Sequence, residues 1–229
     1  TSQIQNRLEW CWQVINFFVE VVFFPRSFPL TFKLEIFKMR HFALSLTAAA
    51  ALFAGAQTVH AAPYAIDGTH TFATFEIGHF GTTTNRGRFD KKEGKIEFDR
   101  AAKKGSIEIT IDVASINSGT AAFDKHLQSA DLFNVAQFPT AKFVSTGMTF
   151  NGDKVSEVAG NLTLMGKTNP VTLKATQFNC YNSPMLKREV CGGDFEATID
   201  RTAFGLNYGV DWGFPKNVRI VIQAEAVKQ

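Results

Sequence analysis

Apolar and polar residues alternate with a period of two along much of the chain after residue 60. Ser106 to Val113 keeps that rhythm unbroken and sends Ile107, Ile109, Ile111 and Val113 to one face. It recurs at Ala73, Phe75 and Ile77, at Val158, Gly160, Leu162 and Leu164, at Val171, Leu173 and Ala175, and at Val218, Ile220, Ile222 and Ala224. Lys142 to Phe150 is a further strand in which Thr and Ser supply the polar positions. Turn-forming residues separate these runs. Asp90 to Gly94 reads as a hairpin between Arg86–Phe89 and Lys95–Phe98, Asn151-Gly152-Asp153 as a tight hairpin, and Gly166 to Pro170 as another turn. Short strands with one apolar face, joined by tight turns, indicate an antiparallel sandwich or a closed barrel.

One segment departs from the period of two. Gly119 to Ser129 lacks β-branched residues after Thr120 and spaces Phe123 and Leu127 four apart, which predicts a short helix with Thr120 as its cap and Asp124 in its first turn. The loop after it carries Leu132, Phe133 and Phe138, large apolar residues that a solvent-facing loop does not hold. Parity sends Phe75, Ile77, Phe89, Ile109, Ile111, Leu162 and Leu164 inward. A one-residue slip of register would invert any strand's contribution.

The start of the chain is different. Met39, Arg40 and His41 precede an apolar run from Phe42 to Ala54 and a small-residue site ending at Ala61, the order of a secretory signal peptide. We therefore place the true start at Met39 and read 1–38 as an upstream region translated from a misplaced gene start, 39–61 as a signal peptide and 62–229 as one exported domain. A membrane anchor in 1–38 is the competing reading, and Glu20, Pro25 and Arg26 interrupt its apolar stretch. Residues 62–229 hold 19 Lys and Arg against 18 Asp and Glu, a net charge of +1 without the basic stripe that nucleic acid requires. They keep two cysteines, Cys180 and Cys191, in a turn-rich stretch. In an exported protein such a pair reads as a disulfide, the rival being a zinc site that lacks nearby partners.

Catalytic signatures are missing: there is no G-x-S-x-G and no H-E-x-x-H. Gly160 to Thr168 resembles a phosphate loop but has one residue too many before Gly166-Lys167-Thr168 and sits on an alternating strand. His70, His79 and His126 are far apart and show no ligand spacing. The sequence thus assigns no catalytic residue, metal ligand or cofactor. An eight-stranded barrel either fills with its own side chains or encloses one small ligand, and 14 Phe residues after Ala61 suit both. Three readings stay open: a hollow carrier, a solid structural module, and an enzyme on a small apolar molecule with His79 or His126 as acid and base.

Several motifs resemble the YceI-like family. They are Tyr64-x-Ile66-Asp67-x-x-His70, Phe75-x-Ile77-x-His79-Phe80, Gly87-Arg88-Phe89, Ser115 to Gly119, Asp124-x-His126-Leu127-x-Ser129-x-Asp131-Leu132-Phe133, Phe138-Pro139, Phe143 to Thr146, Gly160 to Val171, and Asp200-Arg201-Thr202-x-Phe204-Gly205. The resemblance covers Ala62 to Gln229. It implies a lipocalin-like, extended eight-stranded antiparallel barrel with one short helix, holding a long isoprenoid lipid in its interior. The stretch from Cys180 to Cys191 resembles a periplasmic branch of the family and suggests a ubiquinone-type isoprenoid quinone. On this reading Phe123, Leu127, Leu132, Phe133, Phe138 and Phe204 join the inward set as the lipid site. His79, His126, Asn134 and Arg201 are candidate donors to a quinone head. An apolar mouth would also suit transient contact with a membrane, or a second copy of the chain.

Overall fold

The computed structural model describes residues 61–229. The extension and signal peptide read from the sequence lie outside them, Ala61 excepted. Eleven strands form one sheet: β1 (Ala62–Ile66), β2 (Phe72–His79), β3 (Thr83–Phe89), β4 (Lys92–Asp99), β5 (Lys104–Asp112), β6 (Ile116–Asn117), β7 (Thr140–Asn151), β8 (Lys154–Leu164), β9 (Lys167–Asn182), β10 (Glu189–Asp200) and β11 (Asn217–Lys228). Eight of them close a ring in the order β1-β4-β5-β7-β8-β9-β10-β11, with β11 pairing back to β1. All the pairs are antiparallel. The fold is the expected eight-stranded barrel.

Strand β11 carries the closure. Its C-terminal part pairs with β1, Tyr64 opposite Lys228, and its middle pairs with β2, Ile220 opposite Phe75. Strands β1 and β2 therefore follow one another along the same edge of β11, with a bend at 67–71 between them. From β2 the sheet continues through β3 to β6 as a flap beside one end of the barrel. Helix α1 (Ala121–Gln128) follows β6 and buries Leu127. The amides of Phe133 and Val135 donate to the carbonyls of Leu127 and Gln128, so the following loop caps the helix's C-terminal end.

Three local expectations need correction. Asp90 to Gly94 is not a hairpin. Strand β3 pairs with β2 and β6, whereas β4 pairs with β1 and β5, and the chain bends between the two at Asp90 and Lys91. Gly94 lies inside β4 opposite Ile109, where a β-carbon would stand 2.1 Å from the Glu108 carbonyl oxygen. It marks a close backbone approach rather than a turn. The turn expected at Gly166 to Pro170 is shorter: Met165 and Gly166, both left-handed, join β8 to β9, and Pro170 lies within β9 opposite Asn161. Strand β10 reaches only to Lys174, so Pro170 has no neighbour on its other side that needs its missing N–H. Thr120 occupies the N-cap of α1 without a side-chain hydrogen bond, and Asp124 instead accepts from the Ser118 amide and hydroxyl, each at 2.6 Å.

The core is divided. Tyr64, Phe98, Val155, Val158 and Phe195 form a cluster toward one end, where Phe98 stacks on Phe150 at 6.2 Å and meets Tyr64 and Phe178 edge-on. Cys180 and Cys191 face each other across β9 and β10 in this region and are disulfide-bonded, with Cα atoms 4.1 Å apart. The zinc alternative for these cysteines is thereby removed. The second cluster, around Val113, Ile116, Leu127, Phe204 and Leu206, lies at the helix end.

Candidate functional site

Between the two clusters the barrel is hollow. A cavity of about 520 Å³ runs along its interior, within the range of small-molecule sites. This overturns the solid-module reading: inward side chains meet across the ring where Phe98 touches Phe178, but between the two clusters they leave the lumen open. All seven positions assigned inward by parity, Phe75, Ile77, Phe89, Ile109, Ile111, Leu162 and Leu164, line the cavity. Strand pairing sets them in tiers. Ile109 opposes Phe143, which opposes Leu162, while Phe75 opposes Ile220. From Val218 to Ala224 the lining residues of β11 span roughly 20 Å at ~3.4 Å per residue.

Glycines help to keep the lumen open. The ring of Phe143 lies on the backbone of Gly160, where a β-carbon would stand 2.3 Å from its Cζ. The aromatic group is thereby laid against the wall instead of pointing across the space.

The helix end is the mouth. Phe123, His126 and Leu127 of α1, with Leu132 and Phe133 after it, line it on one side. His79 and Phe80 close it on another, both packed edge-on against Phe214 at 5.6 and 5.2 Å. The His126 ring meets Tyr208 at 5.2 Å, and Tyr208 meets Trp212 at the same distance. Phe80 is 52 % exposed and Trp212 66 %, so the rim is aromatic on its outer as well as its inner side. Tyr208, Trp212 and Phe214 belong to a strap, Gly205 to Lys216, that turns on three left-handed glycines, Gly205, Gly209 and Gly213.

Three expected site residues do not face the cavity. Phe138 packs beneath the β8–β9 turn against Gly166. Phe204 is 2 % exposed within the closed core at the helix end. Asn134 turns its amide to Gln137 and stays outside the lining. Arg201 does form part of the wall; burial, only partly offset by Asp200, lowers its pKa. Lys92 is the other cation of the lining, its pKa also lowered by desolvation; its Nζ donates to the Gly68 carbonyl and lies 4.7 Å above the Phe72 ring.

No triad or base-paired nucleophile forms in the lining. At the bend between β1 and β2, Asp67, His70 and the β11 residue Glu225 bring donor atoms within 4.8 Å of one another, a grouping that sequence spacing did not show. Asp67 and His70 there bond each other at 2.8 Å.

The model of the YceI-like domain matches residues 64–226. A UPF0312 protein of Shewanella denitrificans is 35% identical over 197 residues, covering 83% of this chain and 99% of its own. The chain belongs to the YceI-like family. Among solved structures, BcnA of Burkholderia cenocepacia superposes with a TM-score of 0.56 at 25% identity, over 70% of this chain and 98% of its own. A polyisoprenoid binding domain from Saccharophagus degradans, implicated in plant cell wall breakdown, superposes with a TM-score of 0.51 at 15% identity, over 72% and 98%, a likeness of fold.

Many lining residues escaped the sequence reading, Phe143, Val171 and Leu173 among them, and two further groups carried a readable signal. Val218, Ile220 and Ile222 alternate as clearly as the strands that were chosen, and the same parity rule finds them. The strap aromatics were also readable, because large apolar residues interleaved with glycines in a loop carry the same signal as Leu132 and Phe133.

Proposed function

We propose that the protein is a periplasmic carrier for a long isoprenoid lipid, of the ubiquinone class, held in the barrel interior, and that it binds rather than catalyses. The observation that carries this reading is the apolar cavity of about 520 Å³ opening at an aromatic rim. A lipid tail needs apolar wall and little else. Twenty buried CH₂ groups contribute roughly 16 kcal/mol at ~0.8 each, more than the ~4–15 kcal/mol that association costs in lost freedom. The likeness in fold to a polyisoprenoid binding domain supports the lipid class. The signal-peptide pattern at 39–61 supports export, and the two bonded cysteines suit an oxidising compartment.

The rim, with Phe80, Tyr208 and Trp212, is the surface through which a guest passes between bilayer and lumen, by transient contact. Aromatic residues of this kind favour the membrane–water boundary. The rest of the parity set and the helix and loop residues at the mouth act as the tail's wall, while His79, His126 and Arg201 stand where a head group would lie.

Incubation with ubiquinone-loaded vesicles followed by size separation tests the reading. Quinone absorbance should travel with the protein, and its absence from the protein fraction would refute the carrier. An enzyme would instead lose a turnover on His79→Ala or His126→Ala, whereas a carrier shows no turnover and keeps its hold on the tail.

A further inference from the structure

Among the described residues Arg201 is the only buried side chain that carries a full charge, at 4 % exposure. Its Nε donates to the Pro215 carbonyl at 2.8 Å and its Nη1 to the Leu206 carbonyl at 2.7 Å. These two carbonyls stand at the two roots of the strap, so the guanidinium sits within the loop that frames the mouth. Both partners are neutral. Arg201 makes no ion pair among the described residues. The carboxylate next to it in sequence, Asp200, accepts instead from the amide and hydroxyl of Thr202 at 2.8 and 2.6 Å.

The third nitrogen is the anomaly. Nη2 is buried and has no hydrogen-bond partner. The Phe214 ring, 5.7 Å from the guanidinium carbon, lies at the outer limit of a cation–π contact. A buried donor without an acceptor, on a charge with no direct ion pair, is costly and is ordinarily paired. Holding the strap accounts for Nε and Nη1; it leaves Nη2 unexplained. Arg201 is also part of the wall of the lipid cavity, beside Leu206, Tyr208 and Phe214.

We propose that Arg201 is the polar seat of this cavity and that Nη2 takes an acceptor oxygen from the head of the guest. The inference rests on the carrier reading and narrows it. The ligand is an isoprenoid with an oxygen on its head, either a ring carbonyl or a phosphate, and is not a bare hydrocarbon. The head lies under the strap at Arg201, the buried member of the three candidate donors, and the tail runs down the barrel toward Ile107 and Ile96. Nη2 is covered in the guest-free protein, so the oxygen reaches it only if the neighbouring Phe214 ring moves aside.

The test compares three probes of matched tail length: a ubiquinone, a polyprenyl phosphate and a bare polyisoprene. The wild-type protein should bind at least one oxygen-headed probe about ten- to a hundredfold more tightly than the hydrocarbon, the range of a hydrogen bond to a charged donor. Arg201→Met should abolish that preference while the hydrocarbon still binds. Equal affinity for all three probes in the wild type would overturn the inference without any variant. An equal loss for all three in a folded Arg201→Met would overturn it too, because it would show a purely structural arginine. If Arg201→Met does not fold, the infrared carbonyl or phosphate stretch of the bound probe decides: a shift to lower wavenumber in the wild type supports the bond, and an unshifted band refutes it. If none of the three probes binds, the carrier reading itself fails and takes this inference with it.

Discussion

The ring of Phe75 lies on the backbone of its cross-strand partner Gly87, so close that a β-carbon at position 87 would stand 2.4 Å from the ring's Cζ. Phe75 lines the lumen, so the missing side chain at 87 is what lets a large aromatic group lie against the wall. Gly87→Val should push the ring inward. Overpacking of this kind costs ~1–3 kcal/mol, a fall in Tm of roughly 2–12 °C for a domain of this size. Quinone affinity should fall about tenfold or more, read by fluorescence titration. Unchanged Tm and affinity would show that the glycine is not what places the ring.

Much of this arrangement is legible in the sequence, and the reasons differ by element. The inward set was readable because strand parity is a strict two-fold choice, and one buried face settles it for Ile109 and Leu162 alike. The β3–β4 connection was not, because Asp90 to Gly94 has the composition of a turn while strand partners are chosen by distant segments, here β1 for β4 and β6 for β3. Arg201 could be nominated from its motif, but its orphan nitrogen exists only once Leu206 and Pro215 fold back onto it. Phe138 and Phe204 misled because a large apolar residue near a mouth packs equally well into closed core.

Filling the lumen should separate binding from folding. Leu162→Trp places a bulky ring in a space that is empty without guest, so the apo protein should be as stable as the wild type or gain ~0.5–2 kcal/mol. Its quinone uptake should drop more than about tenfold. Uptake at the wild-type level, measured by co-elution, would show that the lumen is not the site.

Trp212 is the only tryptophan after residue 12 and stands on the rim. In the chain from residue 62 its emission therefore reports the mouth alone. Adding ubiquinone should quench it saturably. A signal that does not respond at concentrations where quinone co-elutes with the protein would place entry elsewhere.

The disulfide lies in the cluster away from the mouth and closes a loop between residues 11 apart. Cys180→Ala with Cys191→Ala, or reduction, should remove roughly 3 kcal/mol of stability, lowering Tm by about 6–12 °C. Quinone affinity of the still-folded protein should not change. Calorimetry with and without reductant measures the first, and fluorescence titration the second.

Asp67 and His70 sit where β1 bends into β2. Hydrogen bonds from His70 and then Thr69 lower the Asp67 pKa from 3.8 to about 2, and the bond to Asp67 raises that of His70 above 6.5. The Asp67 contribution is present above pH 3.8 and is lost as pH falls through about 2. The His70 contribution is present below pH 6.5 and is lost as pH rises through the raised value. Nuclear magnetic resonance should find the His70 titration above 6.5 and returned toward that value in Asp67→Asn. No difference between the two proteins would break the assignment of the pair.

The central claim is that the barrel's lumen is the seat of an isoprenoid guest. Organic extraction of the protein purified from a quinone-producing bacterium, followed by mass spectrometry, tests it most directly. The account predicts an isoprenoid lipid approaching one molecule per chain, lost in Leu162→Trp. An extract free of isoprenoid, from a wild-type protein that also takes up no added ubiquinone, would contradict it.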